Sequence, residues 1–351
     1  MTGAPGGMRC WIAGIACAVA LLGAAAPAAS PQSYGFEIEI VSVDGSERRR
    51  MNATDLDTAP AWAPDGTRIA FVGAVGEVGQ IFVVRPDGSG LTQVTRVRDR
   101  DAEVGAPVWS PDGTRIAYVD AANRLTVMNA DGTGLRALAG AVSEDFPMPS
   151  WSPDGKRLTF VRGEVEKSRI SIVGADGRGL RTVKRVRLDG SEGGAPKWSP
   201  DGRRIAFVDA ARDRFAVYVI SPDGAGLRRI DRCVFEPAWS PDGRTLACWG
   251  YRLGRRGRIF PAIRLVAVDG RSNRPIDRTR TRARLHDLTW APDGTKLAYI
   301  RTENKRESLY TIDANGQNTR RLGSSQLILP PIAWSPDSAH IAFAPARVPR
   351  R

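Results

Sequence analysis

One pentapeptide constrains this chain more than anything else in it. Trp109-Ser-Pro-Asp-Gly and its variants, with Ala for Ser in two copies and Ser for Gly in the last, begin at Trp62, Trp109, Trp151, Trp198, Trp239, Trp290 and Trp334. Successive tryptophans are 47, 42, 47, 41, 51 and 44 residues apart, a period shared by propeller blades and by some helical repeats. The residues after each copy decide between the two. Ile69-Ala-Phe, Ile116-Ala-Tyr, Leu158-Thr-Phe, Ile205-Ala-Phe, Leu246-Ala-Cys, Leu297-Ala-Tyr and Ile341-Ala-Phe alternate large, small, large, the period of a strand. Pro presets φ, Asp bonds back to the turn backbone and Gly tolerates positive φ, so the element reads as a hairpin turn with Trp as a core anchor before it.

A second series is interleaved with the first: Asp44-Gly45, Asp87-Gly88, Asp131-Gly132, Asp176-Gly177, Asp223-Gly224, Asp269-Gly270 and Asn315-Gly316, each after an apolar strand such as Ile81-Phe-Val-Val. Two hairpins per period make four strands, one propeller blade. The chain starts with an Asp-Gly hairpin, Phe36 to Met51, and finishes with a Trp hairpin, Ile332 to Ala344. Six blades are complete, and the two halves left over add up to a seventh. The expectation is an all-β chain forming a single propeller of seven four-stranded blades, closed by pairing its terminal halves so that no strand edge is left open. The alternative is six blades with both halves packed outside the ring.

These hairpins resemble the WD40-like Pro-Asp repeat of the TolB-like β-propeller family, and the resemblance covers the whole of residues 29–351. It implies the fold, and a role as a cell-envelope binding module; related propellers also precede the hydrolase domain of some serine peptidases. The repeats fill residues 29–351, so neither the α/β domain that precedes the TolB propeller nor a hydrolase domain is expected within them, and no Gly-x-Ser-x-Gly elbow occurs in the sequence.

The N-terminus reads as an export signal, residues 1–28: Arg9 is followed by apolar Cys10 to Ala26, and Ala26-Pro27-Ala28 offers a cleavage site. An uncleaved anchor, the only membrane attachment considered, is the competing reading. Export places the chain in the periplasm, the cell envelope or outside the cell, where Cys233 and Cys248 either form a disulfide or, since Cys248 stands where sister repeats carry Phe or Tyr, serve as core thiols. The net charge of +13 suits an acidic envelope polymer or an envelope protein better than nucleic acid, which an exported protein rarely meets. The basic stretch Arg252 to Arg284 reads as a solvated flank, and the protein as a monomer.

Motifs that imitate sites fail on context. Gly88-Ser-Gly90, Gly132-Thr-Gly134, Gly177-Arg-Gly179 and Gly224-Ala-Gly226 are spaced like phosphate loops, but strands rather than helices follow them. No turn carries the acidic ladder of a calcium loop, and with histidine limited to His286 and His340, no imidazole metal site and no cofactor is expected. The remaining candidate is positional, because the strand before each Trp lines the central channel. Glu103, Asp145 and Glu192 stand six places before their tryptophans, Glu236 and Asp287 three before theirs, and with Asp57 and His286 they make a candidate acidic mouth able to draw in a basic segment or a cation. The plain alternative is solvated turn acids. Two functions follow: a non-catalytic binding scaffold for a protein or polymer, or a hydrolase or lyase with its site in the channel built on Glu236, His286 and Asp287.

Overall fold

In the computed structural model, the residues described are 36–51, 53–54, 57–76, 78–98, 104–143, 148–163, 167–187, 195–210, 215–230, 233–253, 259–277 and 283–346. The expected signal, 1–28, and three candidate acids, Glu103, Asp145 and Glu192, lie outside them.

The chain opens with the hairpin β1 (Ile38–Ser42) and β2 (Arg48–Met51). The first full blade is β3 (Thr58–Trp62), β4 (Ile69–Val75), β5 (Val78–Val84) and β6 (Thr92–Gln93); the second is β7 (Val108–Trp109), β8 (Arg115–Val119), β9 (Leu125–Asn129) and β10 (Arg136–Ala139). The third comprises β11 (Ser150–Trp151), β12 (Arg157–Arg162), β13 (Arg169–Gly174) and β14 (Arg181–Arg185), and the fourth β15 (Lys197–Trp198), β16 (Ile205–Asp209), β17 (Ala216–Ile220) and β18 (Arg228–Ile230). The fifth runs β19 (Cys233–Trp239), β20 (Thr245–Leu253), β21 (Ile259–Ala267) and β22 (Asn273–Pro275), and the sixth β23 (Arg284–Trp290), β24 (Lys296–Glu303), β25 (Arg306–Asp313) and β26 (Arg320–Ser325). The chain ends in β27 (Ile328–Trp334) and β28 (His340–Pro345).

The seventh sheet has the order β2-β1-β28-β27, so the two terminal hairpins share one blade and the six-bladed alternative is set aside. Its seam is antiparallel, with Glu39 opposite Phe343, Ile40 opposite Ala342 and Val41 opposite Ile341. The first strands of neighbouring blades touch in a complete circuit, β3, β7, β11, β15, β19, β23, β27 and back to β3, which makes them the inner ring. Between blades lie apolar layers. One buries Trp109, Ile116 and Tyr118 of the second blade with Ala70, Ile81 and Val83 of the first.

Each of these turns is closed by a backbone hydrogen bond, to which the five copies with Ser add a hydroxyl, as in the turn after Trp109. Gly113 N–H donates to the Ser110 carbonyl at 2.9 Å, the Ser110 hydroxyl donates to Asp112 at 2.6 Å, and that hydroxyl accepts the Arg115 N–H at 2.9 Å. The second oxygen-rich contact is Thr114 N–H to Asp112, 3.0 Å. The serine hydroxyl is the main reason the Asp112 carboxyl is pulled down to about 2, and the same contact lowers Asp154, Asp242 and Asp337. Turn also touches turn. A methyl group on Gly113 would meet Pro64 of the preceding blade at 3.6 Å, and the glycines at 66, 155, 202, 243 and 294 abut the preceding proline in the same manner. In the last copy Ser338 replaces Gly, and its hydroxyl accepts the Asp293 N–H of the preceding turn at 3.0 Å, so the circle is unbroken.

The arginines join blades. Arg68, Arg115 and Arg157 lie 4.8, 4.9 and 4.9 Å from the ring centres of Trp109, Trp151 and Trp198 in the next blade, a cation–π geometry. The indole N–H groups of Trp109, Trp151, Trp239 and Trp290 each reach a carbonyl of the previous inner strand at 3.0 to 3.1 Å. Nearer the perimeter, Arg136 donates to Asp176 O at 2.9 Å, Arg181 to Pro222 O at 2.6 Å and Arg274 to Ala314 O at 3.0 Å, while Arg228 reaches Val268 O and Arg320 reaches Asp44 O. These eight arginines therefore hold adjacent blades together.

Two outcomes follow from the turns. Gly132 has φ +86, and a Cβ there would sit 2.4 Å from the Val94 carbonyl oxygen, whereas a Cβ on Gly140 meets nothing within 4 Å. Gly132→Ala is expected to cost about 2–4 kcal/mol from left-handed strain plus a backbone clash, and Gly140→Ala less than about 1 kcal/mol; urea unfolding of both variants measures the contrast. Because the Ser110 hydroxyl stabilises ionised Asp112, its contribution is present above the ordinary carboxylate range and is lost as pH falls through about 2. Ser110→Ala is thus expected to lower the melting temperature at neutral pH, with the gap from the wild type closing between roughly pH 4 and pH 2.

Candidate functional site

The long inner strands share an irregularity just before their Trp. Pairing skips between Thr58 and Ala61 in β3, between Phe235 and Ala238 in β19, between His286 and Thr289 in β23 and between Leu329 and Ala333 in β27. A bulge of this kind re-aims side chains at a sheet rim. Ala59 and Asp287 sit in it with φ of 51° and 57°, conformations that a non-glycine residue holds only when its surroundings compensate.

For Asp287 the compensation is a hydrogen bond. Its carboxylate accepts the Ile332 N–H of β27 in the next blade at 2.5 Å. Two strands further out, Glu307 on β25 accepts the Ile328 N–H at 2.6 Å through Oε2, while its Oε1 lies 3.3 Å from both His286 Nε2 and Thr302 Oγ1. Two carboxylates of the sixth blade therefore grip the inner strand of the seventh at two points, its first residue Ile328 and Ile332. The His286 and Glu307 side chains are 20% and 12% exposed, which places the pair at the mouth of the seam rather than in open water.

Asp57 is fully buried. Its carboxylate accepts Ala53 N–H at 2.8 Å, Thr54 N–H at 3.0 Å and the Thr54 hydroxyl at 2.5 Å, tying the connection between β2 and β3. Glu236 lies in β19 by its backbone. Of the sequence candidates, the structure brings together His286 and Asp287, on one strand and against one seam, and sets Asp57 apart in its own loop. Glu307 was missed. Its signal was present: on β25 it alternates with Leu309, and that face packs with Ile300 and Ile328 in an apolar layer, so a carboxylate there needed a partner.

Cys233 and Cys248 are joined as a disulfide between β19 and β20, with Cα atoms 5.5 Å apart. Both are buried in the layer between the fourth and fifth blades, with Cys248 in the position that Phe or Tyr fills elsewhere. Among the described residues no three His, Cys, Asp or Glu side chains converge as a metal-holding group. His340, the other histidine, begins β28 far along the chain from His286 and is half-buried.

Known proteins show the same architecture. The family model described as the TolB beta propeller domain matches residues 28–189 and 114–274. The Tol-Pal system protein TolB of Thioalkalivibrio sulfidiphilus (strain HL-EbGR7) is 34% identical over 65 residues, 18% of this chain and 14% of that protein, so the match spans a small part of its length. Among solved structures, the putative TolB from Agrobacterium tumefaciens is 18% identical with a TM-score of 0.54, covering 90% of this chain and 99% of that one. Oligogalacturonate lyase from Vibrio parahaemolyticus is 15% identical with a TM-score of 0.67, covering 89% and 96%. These structural likenesses concern the fold alone. With the repeats, the closed ring and a family model that spans most of its length, the chain belongs to the TolB β-propeller family.

Proposed function

We propose that the chain is an exported, non-catalytic propeller of the cell envelope that holds an envelope protein or an acidic envelope polymer, with residues 1–28 as its signal and 29–351 as the working module. The observation that carries the reading is the use made of the rim acids. Asp287 and Glu307 spend carboxylate oxygens on backbone N–H groups of the next blade and Asp57 on those of its own loop, so these charges hold structure instead of waiting for a reacting atom. Glu103, Asp145, Glu192 and Glu236 are the acids proposed to face a basic segment of a protein partner, with His286 beside them, while an acidic polymer would be met by the arginines. The Tol-Pal relative supports an envelope setting.

A second reading, a hydrolase or lyase, draws on the His286–Glu307 pair, because an imidazole held by a carboxylate is a general-base arrangement.

Cell fractionation of the tagged full chain is expected to recover it outside the cytoplasm with residues 1–28 removed, and crosslinking in intact cells to capture an envelope component; cytoplasmic retention would overturn the proposal. Glu307→Ala separates the two readings. It removes the acceptor of the Ile328 N–H and as a structural change is expected to cost about 1–3 kcal/mol, read by denaturant unfolding. Unchanged stability together with loss of a hydrolytic or eliminating activity would favour the enzyme.

A further inference from the structure

The outer part of the sixth blade carries a cleft of about 460 Å³, away from the inner ring. It is built on one face of three paired strands. Glu303 stands opposite Arg306, Arg301 opposite Ser308 and Tyr299 opposite Tyr310, while Ser308 faces Ser324 and Tyr310 faces Arg321 on β26. Alternation puts Leu297, Tyr299, Arg301 and Glu303 on the same face, so the side chains change from apolar to charged towards the hairpin tip. The tip is a tight turn with Asn304 and Lys305 at φ of 49° and 60°, the geometry of a two-residue hairpin, which presents the cleft rigidly.

The floor is packed and the walls are not. Tyr299 is fully buried, stacks on Tyr310 at 5.6 Å and meets Trp249 of the fifth blade edge-on at 5.9 Å. Above it, Arg301 is oriented by the Tyr310 ring, 5.5 Å away, and by an ion pair with Glu303. Arg306 and Arg321 are exposed, and among the described residues neither guanidinium has an ion-pair or hydrogen-bond partner. They differ in this from the arginines that staple the blades. Two residues beyond Trp249, on the strand face turned towards this blade, Tyr251 is 54% exposed, an aromatic surface open among the described residues.

Planar guanidinium groups select carboxylate or phosphate oxygens bidentately. Arg306 and Arg321 are rooted roughly 13 Å apart along the strand direction, a spacing that suits anions repeated along an oligomer better than one compact dianion. None of the eight lining residues is aliphatic; besides the three arginines and Glu303, whose charge is paired with Arg301, the lining is Ser308, Ser324 and Asn304, with Tyr310 at the floor. A bound peptide would want apolar anchor pockets. Short hydroxyl and amide side chains beside an exposed tyrosine suit a ligand made of rings and hydroxyl groups.

We propose that this cleft is a subsite for a carboxylated oligosaccharide, with Arg306 and Arg321 each taking a carboxylate, Ser308, Ser324 and Asn304 bonding ring hydroxyls, and Tyr251 covering a sugar face. The inference specifies the acidic polymer of the proposed function and depends on that reading only for the compartment in which the ligand is met.

Titration calorimetry on the full chain tests it with tetragalacturonate, uncharged galactotetraose and a tetra-aspartate peptide. Tetragalacturonate is expected to bind at least tenfold more tightly than either of the others and to weaken with added salt. Arg306→Ala and Arg321→Ala are each expected to weaken it about tenfold without shifting the melting temperature, since both side chains are exposed, and Tyr251→Ala severalfold. No saturable binding, binding unchanged in the double arginine variant, or tighter binding of tetra-aspartate would overturn the proposal. An exported protein that ignores the sugar would sink the subsite alone; a cytoplasmic protein that binds it would sink the compartment and leave the subsite standing.

Discussion

Everything in this molecule depends on the pairing of β1 with β28. A propeller is a row of sheets bent until its ends meet, and each blade buries its faces only against two neighbours. Here the ends meet inside a blade: the N-terminal hairpin supplies the two outer strands and the C-terminal hairpin the two inner ones. The seam combines a continuous antiparallel ladder with buried Ile40, Val41, Ile341 and Phe343, and Glu39, itself buried, is held from the outer strand by Arg48 at 2.6 Å and Arg50 at 3.0 Å. Closure also covers the two inner strand edges that an open row would expose.

Within the closed ring, charge has been put to structural use. A chain with a net charge of +13 invites a search for an anionic partner across its whole surface, yet many of its guanidinium groups lie on a neighbouring blade's indole or donate to its carbonyls. Such contacts satisfy groups that a turn leaves without partners, and they repeat because the turns repeat. The informative arginines are those outside the pattern. Arg306 and Arg321 belong to no staple and share a cleft, which turns a diffuse electrostatic property into a localised one.

The fold was legible because its determinants are local. Trp109, the Pro-Asp-Gly turn and the large-small-large strand after it lie within a dozen residues, and seven copies with half a blade at each end imply the ring and its seam. The candidate site was legible only in outline. Counting back from each Trp located the rim and picked out His286 and Asp287, but whether a carboxylate there faces water or a backbone N–H depends on a bulge that strand alternation does not reveal. Asp57, expected at the channel mouth, is closed into its own loop by Ala53 and Thr54. Glu307 escapes that count because it stands on the third strand of its blade, not the one before Trp290.

The sequence by itself determined the four-stranded blade, the order of its strands and the hairpin turn between the first two, and it favoured seven blades over six, since each follows from the spacing and alternation of neighbouring residues. Only the tertiary structure decided what the polar side chains do. Asp287 meets Ile332 across a blade boundary 45 residues away in the chain, Arg68 meets Trp109 in the next blade, and the cleft combines Arg301, Arg306 and Arg321 through a register shift between β25 and β26. The physical reason is that backbone periodicity is a local property, whereas the partner of a long polar side chain is chosen by whichever group the closed ring brings within hydrogen-bonding distance.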